Sequence, residues 1–176
     1  MTSAAMVFAA GLQAWSASSL SQLDTKSSSC FSEHMDRLGS ESGVAQALSG
    51  PITTLAKLLA SPSHLTITYS DDKNIPRGFI KYGSKDLYFY KKNGEIVQKT
   101  NQICLLDFYV SESMQRGGIG LALFQSMMGT LEEASPSLLA YDRPSPKLIA
   151  FMAKHFQLTR PDLQPNKYTI FEGYVL

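Results

Sequence analysis

Ser113-Met114-Gln115-Arg116-Gly117-Gly118-Ile119-Gly120-Leu121-Ala122-Leu123-Phe124 decides how this 176-residue chain is read. Ahead of it runs Ile103-Cys104-Leu105-Leu106-Asp107-Phe108-Tyr109-Val110, a mostly apolar stretch of strand length, which predicts a buried strand. Behind it, Ile119, Leu123, Phe124, Met127, Met128 and Leu131 recur at helical spacing, which predicts a helix to about residue 133. A strand, a basic glycine-rich turn and a helix start suit a pyrophosphate. The unpaired N–H groups of the first helical turn face the anion, and the helix dipole favours negative charge there. Glycine lets the backbone come close without a Cβ in the way, and Arg116 adds a fixed positive charge. A flexible turn with no ligand is the plain alternative for so short a motif. Two other phosphate loops are excluded. The dinucleotide fingerprint needs Gly-x-Gly-x-x-Gly with an acidic residue about 20 positions on, and a Walker loop needs Gly-Lys-Ser/Thr.

Outward from this core the pattern is mixed. Residues 32–48 predict a modest helix carrying Met35, Leu38, Val44 and Leu48, interrupted near Gly39 and Gly43. Pro51 is expected to open a second short helix, with Ile52, Leu55, Leu58 and Leu59 as its core side. Leu65, Ile67 and Tyr69 alternate as a strand over 64–70, and 79–82 and 87–90 continue that pattern. Asn93-Gly94 is a hairpin signal leading to Ile96-Val97. Residues 137–141 predict another strand. Ser145-Pro146 offers an N-cap and a first-turn proline for a helix over 147–156 burying Leu148, Phe151 and Met152. Residues 168–175 close as a strand. A meander followed by strand–helix–strand–helix–strand predicts an α/β (α+β) fold, a mixed and mostly antiparallel sheet with helices on both faces.

The composition, 44% hydrophobic and 18% charged, is that of one globular domain. We expect that domain over 31–176, preceded by a divergent or disordered leader over 1–30. A net charge of +1 gives no case for nucleic acid. Cys30 and Cys104 form neither a metal-ligand pattern nor a disulfide framework, which suits a reducing cytoplasm. The apolar stretch 4–12 has no Lys or Arg before it, unlike a signal peptide. It is also far shorter than the ~20 residues of a membrane span, so no membrane partner is expected.

The turn Gln-Arg-x-Gly-x-Gly resembles the acetyl-CoA pyrophosphate loop of GNAT-superfamily N-acetyltransferases, at Gln115, Gly118 and Gly120. Leu106-Asp107-Phe108-Tyr109, Glu112-Ser113 with Gln115-Arg116, Asp142-Arg143-Pro144-Ser145 and Ile170-Phe171-Glu172-Gly173 follow in order. With Ser49-Gly50-Pro51-Ile52-Thr53 and Gly78-Phe79-Ile80-Lys81 upstream, they resemble the α-tubulin N-acetyltransferase family from about residue 35 to 176. The resemblance implies a GNAT fold, acetyl-CoA as co-substrate and α-tubulin in microtubules as acceptor. It also implies a monomer of the cytoplasm and cytoskeleton, the cilium or flagellum included. A divergent GNAT acting on another lysine or amine, and a microtubule-binding pseudoenzyme, are the alternatives.

Carried over residue by residue, the resemblance assigns cofactor contacts to Phe108, Tyr109, Val110, Gln115, Arg116, Gly117, Gly118, Ile119, Gly120 and Leu121. On the later helix it adds Ser145, Lys147 and Lys154, although a solvated basic face explains the two lysines equally well. Proton transfer falls to Asp142 and Cys104, and no metal is expected. A turn-capping role for Asp142 and a small buried hydrophobe for Cys104 are the structural alternatives. Asp107, three residues beyond Cys104, points to the other strand face and is expected to be structural. Tyr82, Lys85, Tyr88, Tyr90, Lys91, Lys92 and Arg143 are expected on the acceptor-facing surface, although the ordinary solvated face of a hairpin explains the lysines equally well. One departure stands out: where the family carries a glutamine, an ungapped count from Pro51 reaches Leu59.

Overall fold

Two long neighbouring strands, β3 (Pro76–Tyr90) and β4 (Ile96–Val110), form the frame of the molecule. The structure, a computed structural model, describes residues 7–132 and 134–176. The remaining elements are β1 (Gly11–Ser16), α1 (Ala17–Ser21), α2 (Thr25–Ala45), α3 (Leu55–Leu59), β2 (His64–Ser70), α4 (Ile119–Thr130), β5 (Ala140–Asp142), α5 (Pro146–Phe156), β6 (Pro161–Leu163) and β7 (Tyr168–Phe171). The seven strands are hydrogen-bonded in the order β1-β2-β3-β4-β5-β7-β6. β1–β2, β5–β7 and β6–β7 are antiparallel, whereas β4–β5 is parallel, with Cys104 opposite Ala140 and Leu105 opposite Tyr141. A parallel pair needs a crossover, and α4 provides it. The sheet is mixed, as predicted, and strand 64–70 lies where its alternation put it.

The chain forms two compact units, 1–81 with 107–127 and 82–106 with 128–176. In the first, α2 packs Phe31, Met35 and Leu38 against Phe79 and Tyr109, together with Val7, Phe8, Trp15, Leu20, Leu55 and Leu58. Residues 7–30 therefore belong to this core rather than standing apart as a leader; residues 1–6 lie outside the described residues. β1 is the divergent strand, pairing with β2 from Gly11–Ser70 to Ser16–Leu65. The expected boundary at residue 30 falls inside α2, whose N-cap Asp24 accepts the Ser27 N–H at 2.8 Å. The Ala/Ser-rich composition hides this because an edge strand buries so little: within β1 only Trp15 is fully buried. Its indole donates to Thr68 Oγ1 at 3.0 Å, and Phe8 stacks on Phe31 at 5.3 Å.

α2 runs through Gly39 without a break. A Cβ there would lie 1.8 Å from the carbonyl oxygen of Thr53, so the glycine admits the 50–54 segment onto the helix. Pro51 opens no helix; Thr54 is the N-cap of α3, accepting the Lys57 N–H at 3.3 Å. Leu59 is 40% exposed, not core, because the short helix buries only Leu55 and Leu58.

In the second unit, Leu87, Phe89, Cys104, Leu106, Ala140, Tyr168 and Ile170 form one apolar cluster. The breaks expected within 83–86 and 98–102 do not occur; β3 and β4 continue through these mostly polar residues, and Asp86 accepts the Asn101 N–H at 2.9 Å. Residues 136–138 form a 3₁₀ turn, so the strand expected from 137 begins at Ala140. In α5 only Met152 is fully buried; Leu148 and Phe151 are half-buried, and the Phe151 ring lies 4.7 Å from that of His155. The closing strand ends at Phe171, and β6, wholly exposed and lacking any alternation, has no signature in the sequence.

Candidate active site

In the first unit β4 delivers the chain to the glycine-rich turn. Ser111 donates its N–H to the Arg77 carbonyl at 2.8 Å, and its hydroxyl lies 3.3 Å from the Glu41 carboxylate. Residues 112–114 make a 3₁₀ turn, and Gln115 Nε2 donates back to the Val110 carbonyl at 2.8 Å, bracing the loop. Arg116 (φ 66°) and Gly118 (φ 84°) both take left-handed backbone. That geometry favours glycine and is uncommon for arginine. Arg116, Gly117 and Gly118 are exposed, while Ile119 is buried as α4 begins. Nothing within the helix accepts the first-turn N–H groups, so the turn presents donors and a guanidinium to an anion. Phe108, Tyr109 and Val110 end the strand that feeds it; burial, then the Glu41 charge, pushes the Tyr109 phenol up.

In the same unit Asp107 is buried and takes three hydrogen bonds. Its carboxylate accepts from Ser42 Oγ at 2.8 Å, Thr53 Oγ1 at 2.6 Å and Gln46 Nε2 at 3.0 Å. It ties α2 and the 50–54 segment to β4, the structural role expected of it. The three donors were invisible in the sequence because they lie 54 to 65 residues away.

The second unit holds Cys104 and Asp142. Cys104 is 0% exposed and directs its thiol to the Gln102 carbonyl at 3.2 Å. Burial raises that thiol to about 12; the Asp142 charge adds to the effect and Lys85 opposes it. Asp142 ends β5 with its side chain 24% exposed, and Arg143 Nε lies 3.8 Å away. Tyr168, paired with Asp142 across β5–β7, hydrogen-bonds to it; burial first, then the Asp142 charge, pushes this phenol up. Strand alternation puts Cys104, Ala140 and Asp142 on one face, so the structure brings the two predicted proton-handling residues together. Tyr168 was missed as their neighbour, although its place two residues before Ile170 in a strand could have shown the shared face.

Ser145 caps α5, accepting the Leu148 N–H at 3.2 Å, and Lys147 and Lys154 are exposed. Of the residues expected on an acceptor-facing surface, Tyr88 and Tyr90 are exposed. Tyr82 is not: it is buried, its hydroxyl 2.7 Å from Thr130 Oγ1. Among the described residues no three His, Cys, Asp or Glu side chains are placed to hold a metal ion. None of their helices is long and apolar enough to cross a membrane.

A mixed sheet whose parallel strand pair is bridged by a glycine-led helix is the arrangement of the GNAT acetyltransferases. The xEco2 acetyltransferase domain superposes with a TM-score of 0.58 over 96% of this chain and 95% of its own, at 9% identity. The family described as GNAT acetyltransferase, Mec-17, matches residues 6–176, and the chain belongs to it. It is similar to proteins named alpha-tubulin N-acetyltransferase. The one from Anopheles gambiae is 43% identical over 146 residues, 82% of this chain and 30% of that protein. The one from Phytophthora infestans is 39% identical over 160 residues, 82% and 88% of the two chains. The chain spans about a third to a half of the mosquito relatives, 30% and 53%.

Proposed function

We propose that the chain transfers the acetyl group of acetyl-CoA to a lysine of α-tubulin in microtubules, by direct attack in a ternary complex. The observation that carries this reading is the turn ahead of α4, with Arg116 and Gly118 in left-handed backbone and exposed before the helix start, in a chain of the Mec-17 family. The names of the relatives supply the acceptor. The protein acts as a monomer on the cytoskeleton of the cytoplasm, cilium or flagellum included, without nucleic-acid or membrane partners.

In this reading the amides of 117–121, Gln115 and Arg116 hold the pyrophosphate. Backbone groups of Phe108, Tyr109 and Val110 take the pantetheine arm and the thioester oxygen, and Ser145, Lys147 and Lys154 line the rest of the CoA. The acceptor lysine arrives as an ammonium of pKa ~10.4 and must lose a proton before its nitrogen can attack. Asp142 takes that proton. The nitrogen attacks the thioester carbonyl, the tetrahedral oxyanion collapses, the C–S bond breaks, and CoA leaves as a thiolate that takes up the second proton the attacking nitrogen gives up. Cys104, its thiol near 12, is neutral at pH 7. It assists as an uncharged neighbour that keeps water from Asp142, not as a thiolate base.

Leu59 favours a second reading, a divergent GNAT with another lysine or amine as acceptor, because an exposed leucine stands where an ungapped count from Pro51 puts the family's glutamine. One experiment separates the two. The purified chain is incubated with acetyl-CoA and assembled microtubules, acetyl groups are located by mass spectrometry, and Asp142→Asn is run alongside. Product at one α-tubulin lysine, lost in the variant, is expected. Acetyl-CoA binding without tubulin product would overturn the tubulin reading in favour of another acceptor or a pseudoenzyme.

A further inference from the structure

Gln102 is the centre of a polar knot in the second unit. Its Nε2 donates to the Ile103 and Leu138 carbonyls, each at 3.0 Å, and its Oε1 accepts from the Tyr174 hydroxyl. Its own carbonyl receives the Cys104 thiol at 3.2 Å. One half-buried amide thus links β4, the turn that leads into β5, and the segment after β7.

That segment lies across the apolar cluster. Tyr174 and Leu176 pack against the group containing Cys104, Leu106 and Tyr168, and the Tyr174 ring sits 5.1 Å from that of Phe89. Lys99 Nζ donates to the Val175 carbonyl at 2.7 Å, a second tie between the segment and β4. Burial, and the nearness of Cys104, push the Tyr174 phenol up. Removing only the bond between Gln102 and Tyr174 would free the one polar group that fixes the ring over the cluster, while the backbone stays in place.

We propose that Gln102 is a positioning residue for acetyl transfer: through Tyr174 it holds residues 174–176 as a cover on the face shared by Cys104 and Asp142. The inference rests on the proposed reaction. A dry face beside Asp142 keeps water from competing for the carboxylate that takes the ammonium proton, since charge interactions strengthen as water is excluded.

The test uses the full chain with Cys30→Ser, so that Cys104 is the one thiol. Gln102→Met, Tyr174→Phe and the double variant are compared by steady-state kinetics, melting temperature and the rate of Cys104 alkylation by iodoacetamide. Each single variant should lower kcat about tenfold with the KM for acetyl-CoA held within about twofold, and the double should lose about tenfold, not a hundredfold, because both remove the bond between Gln102 and Tyr174. Alkylation should quicken in all three, with little change in melting temperature for Tyr174→Phe; the two variants with Gln102→Met also lose the donor to the Ile103 and Leu138 carbonyls and should melt lower. Independent, multiplying losses, or a kcat that falls only where the melting temperature falls, would overturn the proposal. If the parent chain makes no tubulin product, the functional reading fails first. Unchanged alkylation then overturns the cover as well, and faster alkylation upholds it.

Discussion

β4 serves two carboxylates in opposite ways. In the first unit Asp107, 4% exposed, is saturated by hydroxyls and an amide from α2 and the 50–54 segment. In the second unit Asp142, on the strand beside Cys104, stays 24% exposed among a phenol, a neutral thiol and an arginine 3.8 Å away. A carboxylate buried with three fixed donors on its two oxygens is a strut. One held only partly exposed, beside a phenol and a thiol that stay neutral at pH 7, is able to take up a proton. The same side-chain chemistry becomes architecture or reactivity according to its neighbours.

The comparison breaks most sharply at Asp142. Asn there should lower kcat by at least about a hundredfold, in the range removed with a general base, while the melting temperature moves little; turnover assays with thermal scans decide it. On the strut side, Gly39→Ala places a methyl where the Thr53 carbonyl already lies, 1.8 Å away. The 50–54 segment must move, taking the Thr53 hydroxyl off Asp107, and we expect a loss of about 3–4 kcal/mol in urea unfolding.

Asp107→Asn is milder. It replaces an acceptor for one of three donors by a donor, at about 1–3 kcal/mol, which is roughly 2–12 °C for a domain of this size. The KM for acetyl-CoA and the surviving kcat per folded molecule should stay near the parent values. A kcat loss matching that of Asp142→Asn without a fall in melting temperature would erase the distinction between the two carboxylates.

The smallest effect concerns pH. Cys104 is raised to about 12 in the folded chain, against about 8.5 for a free thiol. The folded state therefore holds its proton more tightly, and the resulting stability is fully present below about pH 8.5 and lost as pH rises toward 12. Between about pH 8.5 and 9.5, before most tyrosines titrate, this amounts to roughly 1 kcal/mol. Cys104→Ala should flatten that part of the stability curve.

The sequence made the strand–turn–helix around Arg116 legible because periodicity, glycines and charge agree there. It also put Cys104 and Asp142 at a strand and a strand end, where alternation does the rest. Residues 7–30 escaped because β1 buries only Trp15 and the aromatic partners of Phe8 and Trp15 are distant in sequence. Gly39 read as an interruption because the carbonyl that demands it comes from Thr53, beyond any local window. Leu59 read as core from its spacing, which a helix as short as α3 does not honour. Gln102 had no local signal at all: its partners Leu138 and Tyr174 are 36 and 72 residues away.

β4 is unbroken from Ile96 to Val110, and its Cys104 and Asp107 are three positions apart. An odd spacing sends them to opposite faces. A single residue gained or lost between them would turn the saturated carboxylate toward the apolar cluster and strand its hydroxyl donors. Length changes should therefore be tolerated at the Asn93-Gly94 end of the hairpin, where they shift an exposed tip, and lethal in the three steps after Cys104. The segment that reads as a plain hydrophobic strand is, in effect, a fixed ruler.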